Sequence, residues 1–207
     1  DEPGALPLVE NALHWLWNQR ENGRLSGKLF TEQGGLAGIL SRGADHLIAG
    51  LEPKERDRAL DLLFRLVQVD PEGRRHTRRR IAFAEAEDIA GGGERGRALI
   101  TRLAGERARE GGRSEGPLRL ITVTEEVAGA NAAPGDGRWV NLIHETLIRS
   151  KGLDAEGKPQ PYWPTLWTYI EKHKNRAARW ERLQLMAREW KDKSGLGRLF
   201  GLAGWSS

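Results

Sequence analysis

A mainly α, α+β fold is predicted for this chain, and three observations predict it. Most of the sequence carries apolar residues at the three- and four-residue spacing of amphipathic helices. Two short segments, "LRLITVT" (118–124) and "WVNLI" (139–143), are instead strand-like, and they flank a fourteen-residue Gly-, Ala-, Pro- and Asp-rich loop, the pattern of a hairpin with a long tip. The three helical segments that lead into that hairpin from Pro53 onward, with its two strands as a wing, make a winged-helix domain. The expected organisation is a helical, lid-like domain over residues 1–52, a winged-helix domain over 53–150 and a C-terminal helical segment over 151–207.

The first helix is expected in "DEPGALPLVENALHWLW". Pro7 suits its first turn, where the missing N–H costs nothing. Leu8, Val9, Ala12, Leu13 and Leu16 form one apolar stripe, and Asn22-Gly23 ends it. After a polar, Gly-rich connection, Leu36, Ile39, Leu40, Leu47 and Leu51 mark a second helix. Pro53 opens a third, with Leu60, Leu63, Phe64 and Val67 on one face and "DPEG" (70–73) as its stop. "IAF" (81–83) reads as a short strand and 84–90 as a short helix broken by Gly91-Gly92-Gly93. Residues 94–110 read as a further helix carrying Leu99, Ile100, Leu103 and Ala104. Beyond the hairpin, Trp163, Leu166, Trp167 and Ile170 mark one helix, and Trp180, Leu183, Ala187 and Trp190 another at near-heptad spacing.

Composition narrows the function classes. At 207 residues, with 38% apolar and 30% charged side chains, the chain suits a soluble globular protein of one or two domains. No run approaches the length of a membrane span. The absence of cysteine suits a reducing, cytoplasmic compartment, and no signal peptide is expected. The only methionine is Met186, which suggests a fragment or processed piece of a larger protein. The net charge is +4, but five arginines (Arg74, Arg75, Arg78, Arg79 and Arg80) fall within seven residues. Such a patch suits either a solvated face or an acidic partner, nucleic acid included.

Several motifs fail on spacing. "GRLSGKL" (23–29) has three residues between its glycines and a leucine after Lys28, so it is not a phosphate loop, and Lys28 is expected in a surface turn. "HETLI" lacks the second histidine of a zinc helix, because Ile148 stands there. No metal site or nucleophile–base pair is expected, and His14, His46, His76 and His173 are placed on helix surfaces or turns. A winged helix beside a basic cluster keeps DNA binding as an alternative, with Arg95, Arg97, Arg102, Arg107 and Arg109 on the candidate reading helix. The interspersed Glu94, Glu106 and Glu110 equally suit a solvated helix with ion pairs.

One stretch stands apart. In "VNLIHETLIRS" (140–150), Val140 and Leu142 alternate with Asn141 and Ile143 as in a strand, and Leu147 and Ile148 then take up helical spacing. If the extended backbone lasts through residue 144, His144 points inward with Val140 and Leu142 and needs a partner.

"PGALPLVENALHWLW", "LLFRLVQV…TRRRIAF", "VNLIHETLIR…YWPTLWTYIE" and "LQLMAREW", in this order, resemble the bacterial STAND-class signalling NTPases, and most closely the novel STAND NTPase 1 subfamily. The resemblance runs through nearly the whole chain. It implies the region after a nucleotide-binding core and before a sensor or repeat domain, hence a regulatory module without its own phosphate loop or magnesium-binding acid. The parent protein would be an ATPase using ADP or ATP with Mg. Pro7 resembles the family proline that packs near the nucleotide base, although two residues rather than one separate it from Gly4. His144-Glu145 resembles the His-Asp pair of the winged-helix motif whose histidine reaches a phosphate of ADP, with Ile143 and Glu145 replacing the family's methionine and aspartate. The implied partners are the upstream nucleotide-binding domain, the downstream domain and further copies in an oligomer, with no membrane. The implied role is a switch that couples the nucleotide state of the core to domain rearrangement and oligomerisation, in bacterial defence or stress signalling; the alternatives are a nucleic-acid-binding winged helix and a scaffold joining partners through its Trp-rich tail.

Overall fold

The computed structural model describes residues 5–20, 23–70, 75–105, 118–125, 137–153, 155–175 and 186. It is a mixed helix-and-strand structure with small antiparallel sheets. Helix α1 spans Ala5–Asn18, α2 Gly27–Glu32, α3 Gly35–Ala49 and α4 Pro53–Arg65. A two-residue ribbon follows, β1 (Val67–Gln68) against β2 (Thr77–Arg78). Strand β3 (Ile81–Ala82) leads into α5 (Phe83–Ile89) and α6 (Gly93–Leu103). Strands β4 (Ile121–Glu125) and β5 (Arg138–Leu142) then join β3 in a sheet of order β3-β5-β4. A single 3-10 turn (Glu145–Ile148), a second ribbon of β6 (Ser150–Leu153) and β7 (Pro159–Pro161), and a helix over residues 164–175, here α7, complete the described chain.

The expected hairpin pairs Ile121 with Leu142 and Val123 with Val140, so alternate residues of β5 enter the core. Several details depart from the sequence reading: Val67, expected on the third helix, lies in β1 because that helix ends at Arg65, and the segment expected to be helical over 151–207 begins with the β6–β7 ribbon. The connection after Gly23 contains α2, so Lys28 is an exposed helical residue near Glu32 (3.8 Å), not part of a turn. Its start is set by Ser26, whose hydroxyl accepts from the Leu29 N–H. Leu13 leaves the expected stripe of α1 and is half exposed, with Trp17 one turn on, while Ala12 and Leu16 are buried. The helical spacing of Leu147 and Ile148 yields only the 3-10 turn, after which the backbone extends into β6. The helix expected over 94–110 is helical to Leu103; its continuation from residue 106, like the Trp180–Trp190 pattern, lies outside the described residues.

One apolar core runs from Leu40, Ala44 and Ile48 of α3, through Leu62 and Leu63 of α4 and the inner face of the sheet, to Trp163, Leu166 and Ile170. Packing is therefore continuous across residues 52/53 and 150/151. A separate small cluster holds Ala12 and Leu16 of α1 against Ile39 of α3. Trp163 is fully buried, and its indole Nε1–H donates to Asp45 Oδ1 on α3 (2.6 Å); the Thr165 hydroxyl donates to the same oxygen (2.7 Å). Tyr169 reaches Asp61 on α4 (2.9 Å), so α7 is tied to both helices.

Between α5 and α6 the chain turns through Gly91, Gly92 and Gly93, all with positive φ (119°, 72° and 52°). The two helices then approach closely at Gly96, where a Cβ would collide with the Glu87 carbonyl. Gly96→Ala is therefore expected to destabilise by about 1–3 kcal/mol despite alanine's better helix propensity, because backbone has to move. Asp45→Ala, which leaves a buried indole N–H unpaired, is expected to cost about 1–3 kcal/mol. Urea denaturation checks both.

Candidate functional site

The site is built where β5 runs out. His144 keeps extended backbone (φ −151°, ψ 148°), so its side chain follows Val140 and Leu142 inward, and it is 8% exposed. The inward placement expected from the alternation is what the structure has. The ring also does local work. Nδ1 accepts from the Thr146 backbone N–H (3.1 Å) and lies 2.7 Å from the Thr146 hydroxyl. The imidazole thus caps the 3-10 turn from its N-cap position. A backbone N–H is always a donor, so the neutral ring carries its proton on Nε2. Thr146 thereby sets which ring nitrogen is the donor.

Glu145 is held from two directions. Arg149, one turn on, pairs with Oε2, and Arg78 of β2 lies 3.9 Å from Oε1. Arg78 also donates to the Leu142 carbonyl at the end of β5 (3.2 Å). All three side chains are about a third exposed (32–35%). The "TRRR" segment and the "HETLIR" segment, read separately in the sequence, therefore meet at one corner.

The other arginines of the basic cluster divide. Arg74 lies outside the described residues. The Arg75 backbone N–H donates to Asp70 Oδ2 (2.9 Å), and its side chain is exposed. Arg79 turns its guanidinium onto the Arg65 carbonyl with two bonds (3.1 and 2.8 Å), and its own N–H donates to Leu66 O (2.8 Å). It closes the C-terminus of α4, where carbonyls lack helical partners and a cation is favoured. Arg80 stacks over Trp139 (4.6 Å). On α6, Arg102 donates to Gly50 O at the end of α3 (2.9 Å) and Arg97 pairs with Glu87 (3.2 Å). Arg78, Arg79 and Arg80 thus each make contacts within the chain.

Pro7 lies in the first turn of α1, and its side chain falls outside what the structure describes. Helix α3 packs against both α1 and the 3-10 turn, so it stands between Pro7's helix and the His144 corner. Among the remaining histidines, His46 is exposed on α3 and His173 packs against Tyr169 and Phe64 on α7. The side chain of His14 is outside the described set. His76 corrects the surface placement: it sits in the turn before β2 but is 1% exposed, against Trp167. Its sequence neighbours are polar, and only the tertiary fold brings α7 over it.

Sequence reasoning missed Thr146 and Arg149. Arg149 had a local signal, the four-residue spacing from Glu145. Thr146 had none, since a histidine capping a 3-10 turn leaves no distinctive pattern. Among the described residues no group of three or more His, Asp or Glu could hold a metal ion, and no helix is long and apolar enough to cross a membrane. In a double-mutant cycle of Arg78→Ala and Glu145→Ala, the ion pair is expected to show a coupling of about 0.5–1 kcal/mol that shrinks with salt.

No curated protein and no solved structure matches the chain. The family described as Novel STAND NTPase 1 matches over residues 1–195, nearly the whole sequence. With the "LPLVENAL", "TRRR" and "HETLIR" segments inside that match, the chain belongs to the novel STAND NTPase 1 family.

Proposed function

We propose that this chain is the regulatory module of a STAND-type signalling NTPase, in which α4, α5, α6 and the β3-β5-β4 sheet form a winged-helix unit and His144 reports the nucleotide state of a core domain. The observation that carries this reading is the His144 corner. Its imidazole faces inward, and Nδ1 is taken up by Thr146, which fixes Nε2–H as the donor. Ion pairing of Glu145 to Arg78 and Arg149 steadies the adjoining backbone.

ADP or ATP with Mg belongs to the core in this reading. The chain's contribution through His144 is one donor to a phosphate oxygen. A charge-assisted hydrogen bond of that kind contributes roughly 1.5–3 kcal/mol, a bias of about ten- to a hundredfold between two domain arrangements. The bond exists only in the ADP-bound arrangement, and that difference makes it a switch contact. Release of the corner then frees the module for self-association.

In the parent protein with its nucleotide core, His144→Ala is expected to weaken ADP retention by about ten- to a hundredfold and to raise the oligomeric fraction at rest. Nucleotide content after purification and light scattering read the two effects. Unchanged ADP content with an unchanged size distribution overturns the proposal.

A further inference from the structure

His76 is the most deeply buried polar side chain among the described residues, and the nucleotide reading makes no use of it. It is 1% exposed, directly precedes β2 and lies against Trp167 of α7. Nδ1 accepts from the Asp70 backbone N–H (3.1 Å), so the ring itself closes the 70–76 loop, alongside the bond from Arg75 N–H to Asp70 Oδ2. Nε2 is buried with no hydrogen-bond partner among the described residues. The ring centroid lies 4.6 Å from that of Trp167 on α7. The charged groups that face it are Asp70 from the ribbon loop and Glu171 and Lys174 from α7.

We propose that His76 is an acid-operated latch: neutral, it fastens the β1–β2 ribbon to α7, and protonated, it lets them part. The step is a single proton uptake from water at Nδ1. That proton occupies the lone pair which accepts the Asp70 N–H, so two N–H groups then face each other and the loop closure is lost. The new cation sits where both ring nitrogens are out of water. The carboxylates of Glu171 and Asp70 favour it, while burial and Lys174 oppose it, and burial wins, holding the imidazole below its ordinary value of 6.5. The charged ring regains its hydration by leaving the Trp167 face, which separates ribbon from helix. Because Arg78 follows two residues later and grips Leu142 O and Glu145, the movement reaches the His144 corner from outside the nucleotide contact.

The direction with pH follows from the lowered value. The unfolded chain takes up the proton first as pH falls below about 6.5, so the latch's contribution is complete above that pH and is lost as pH falls towards the folded-state value. Urea unfolding of the whole chain between pH 8 and 5 is expected to show a steepening below 6.5. For one proton, the unfolding constant gains at most about tenfold per pH unit. His76→Asn, whose side-chain oxygen replaces the Nδ1 acceptor without titrating, is expected to lack that component. In NMR of the unsubstituted chain, the Asp70 amide and the His76 ring are expected to shift with one midpoint, below 6.5. Parallel stability profiles for the two proteins, or an Asp70 amide indifferent to His76 titration, overturn the latch. If the variant fails to fold at pH 8, the NMR titration alone decides. Neither readout involves nucleotide, so the latch and the His144 contact fail separately.

Discussion

A buried indole with one acceptor organises this molecule. Trp163 has no exposed surface, and a Trp N–H taken out of water without a partner is costly. Asp45 supplies that partner and binds Thr165 with the same oxygen, so the start of α7 has one well-satisfied seat, on α3. Once seated, α7 lays Leu166 and Ile170 into the core and brings Trp167 over His76. Helices α3 and α4 and the segment after the His-Glu corner are thereby held in one packed core.

Arginine side chains hold much of what remains, and they do so chiefly at helix ends. Arg79 covers the last carbonyls of α4; Arg56 and Arg102 cover those of α3, with Arg56 reaching Ile48 O, Ala49 O and Leu51 O. Each cation meets the negative end of a helix and satisfies groups that have no partner within it. A basic sequence cluster therefore need not signify an acidic ligand. In this fold, much of the charge density of "TRRR" is spent on backbone carbonyls, a neighbouring tryptophan and one glutamate.

The periodic elements were legible because their burial is one-sided. The stripes of α3 and α4 and the alternation of β5 each state which face is inward, and His144's inward orientation followed from the same alternation. Elements fixed by few residues were not legible. The β1–β2 ribbon has two residues per strand, and α2 depends on the Ser26 cap more than on any apolar pattern. The 3-10 turn looked helical because Leu147 and Ile148 stand at helical spacing from Ile143 and His144, yet the backbone extends again at Arg149. The site partners Arg78 and Glu145 lie 67 positions apart, and no local pattern could pair them.

Helix α3 belongs to two clusters that otherwise stay apart: Ile39 sits with α1, whereas Leu40, Ala44 and Ile48 sit in the main core. Its 15 residues make a rod of about 22 Å. Its near half carries the cluster around Ala12 and Leu16, with Trp15, Leu29, Phe30 and Leu36 packed against it, and its far half is tied by Asp45 and by the guanidinium groups of Arg56 and Arg102. The N-terminal helix is thus held through a small apolar cluster of its own, and α3 is the one element that joins that cluster to the main core.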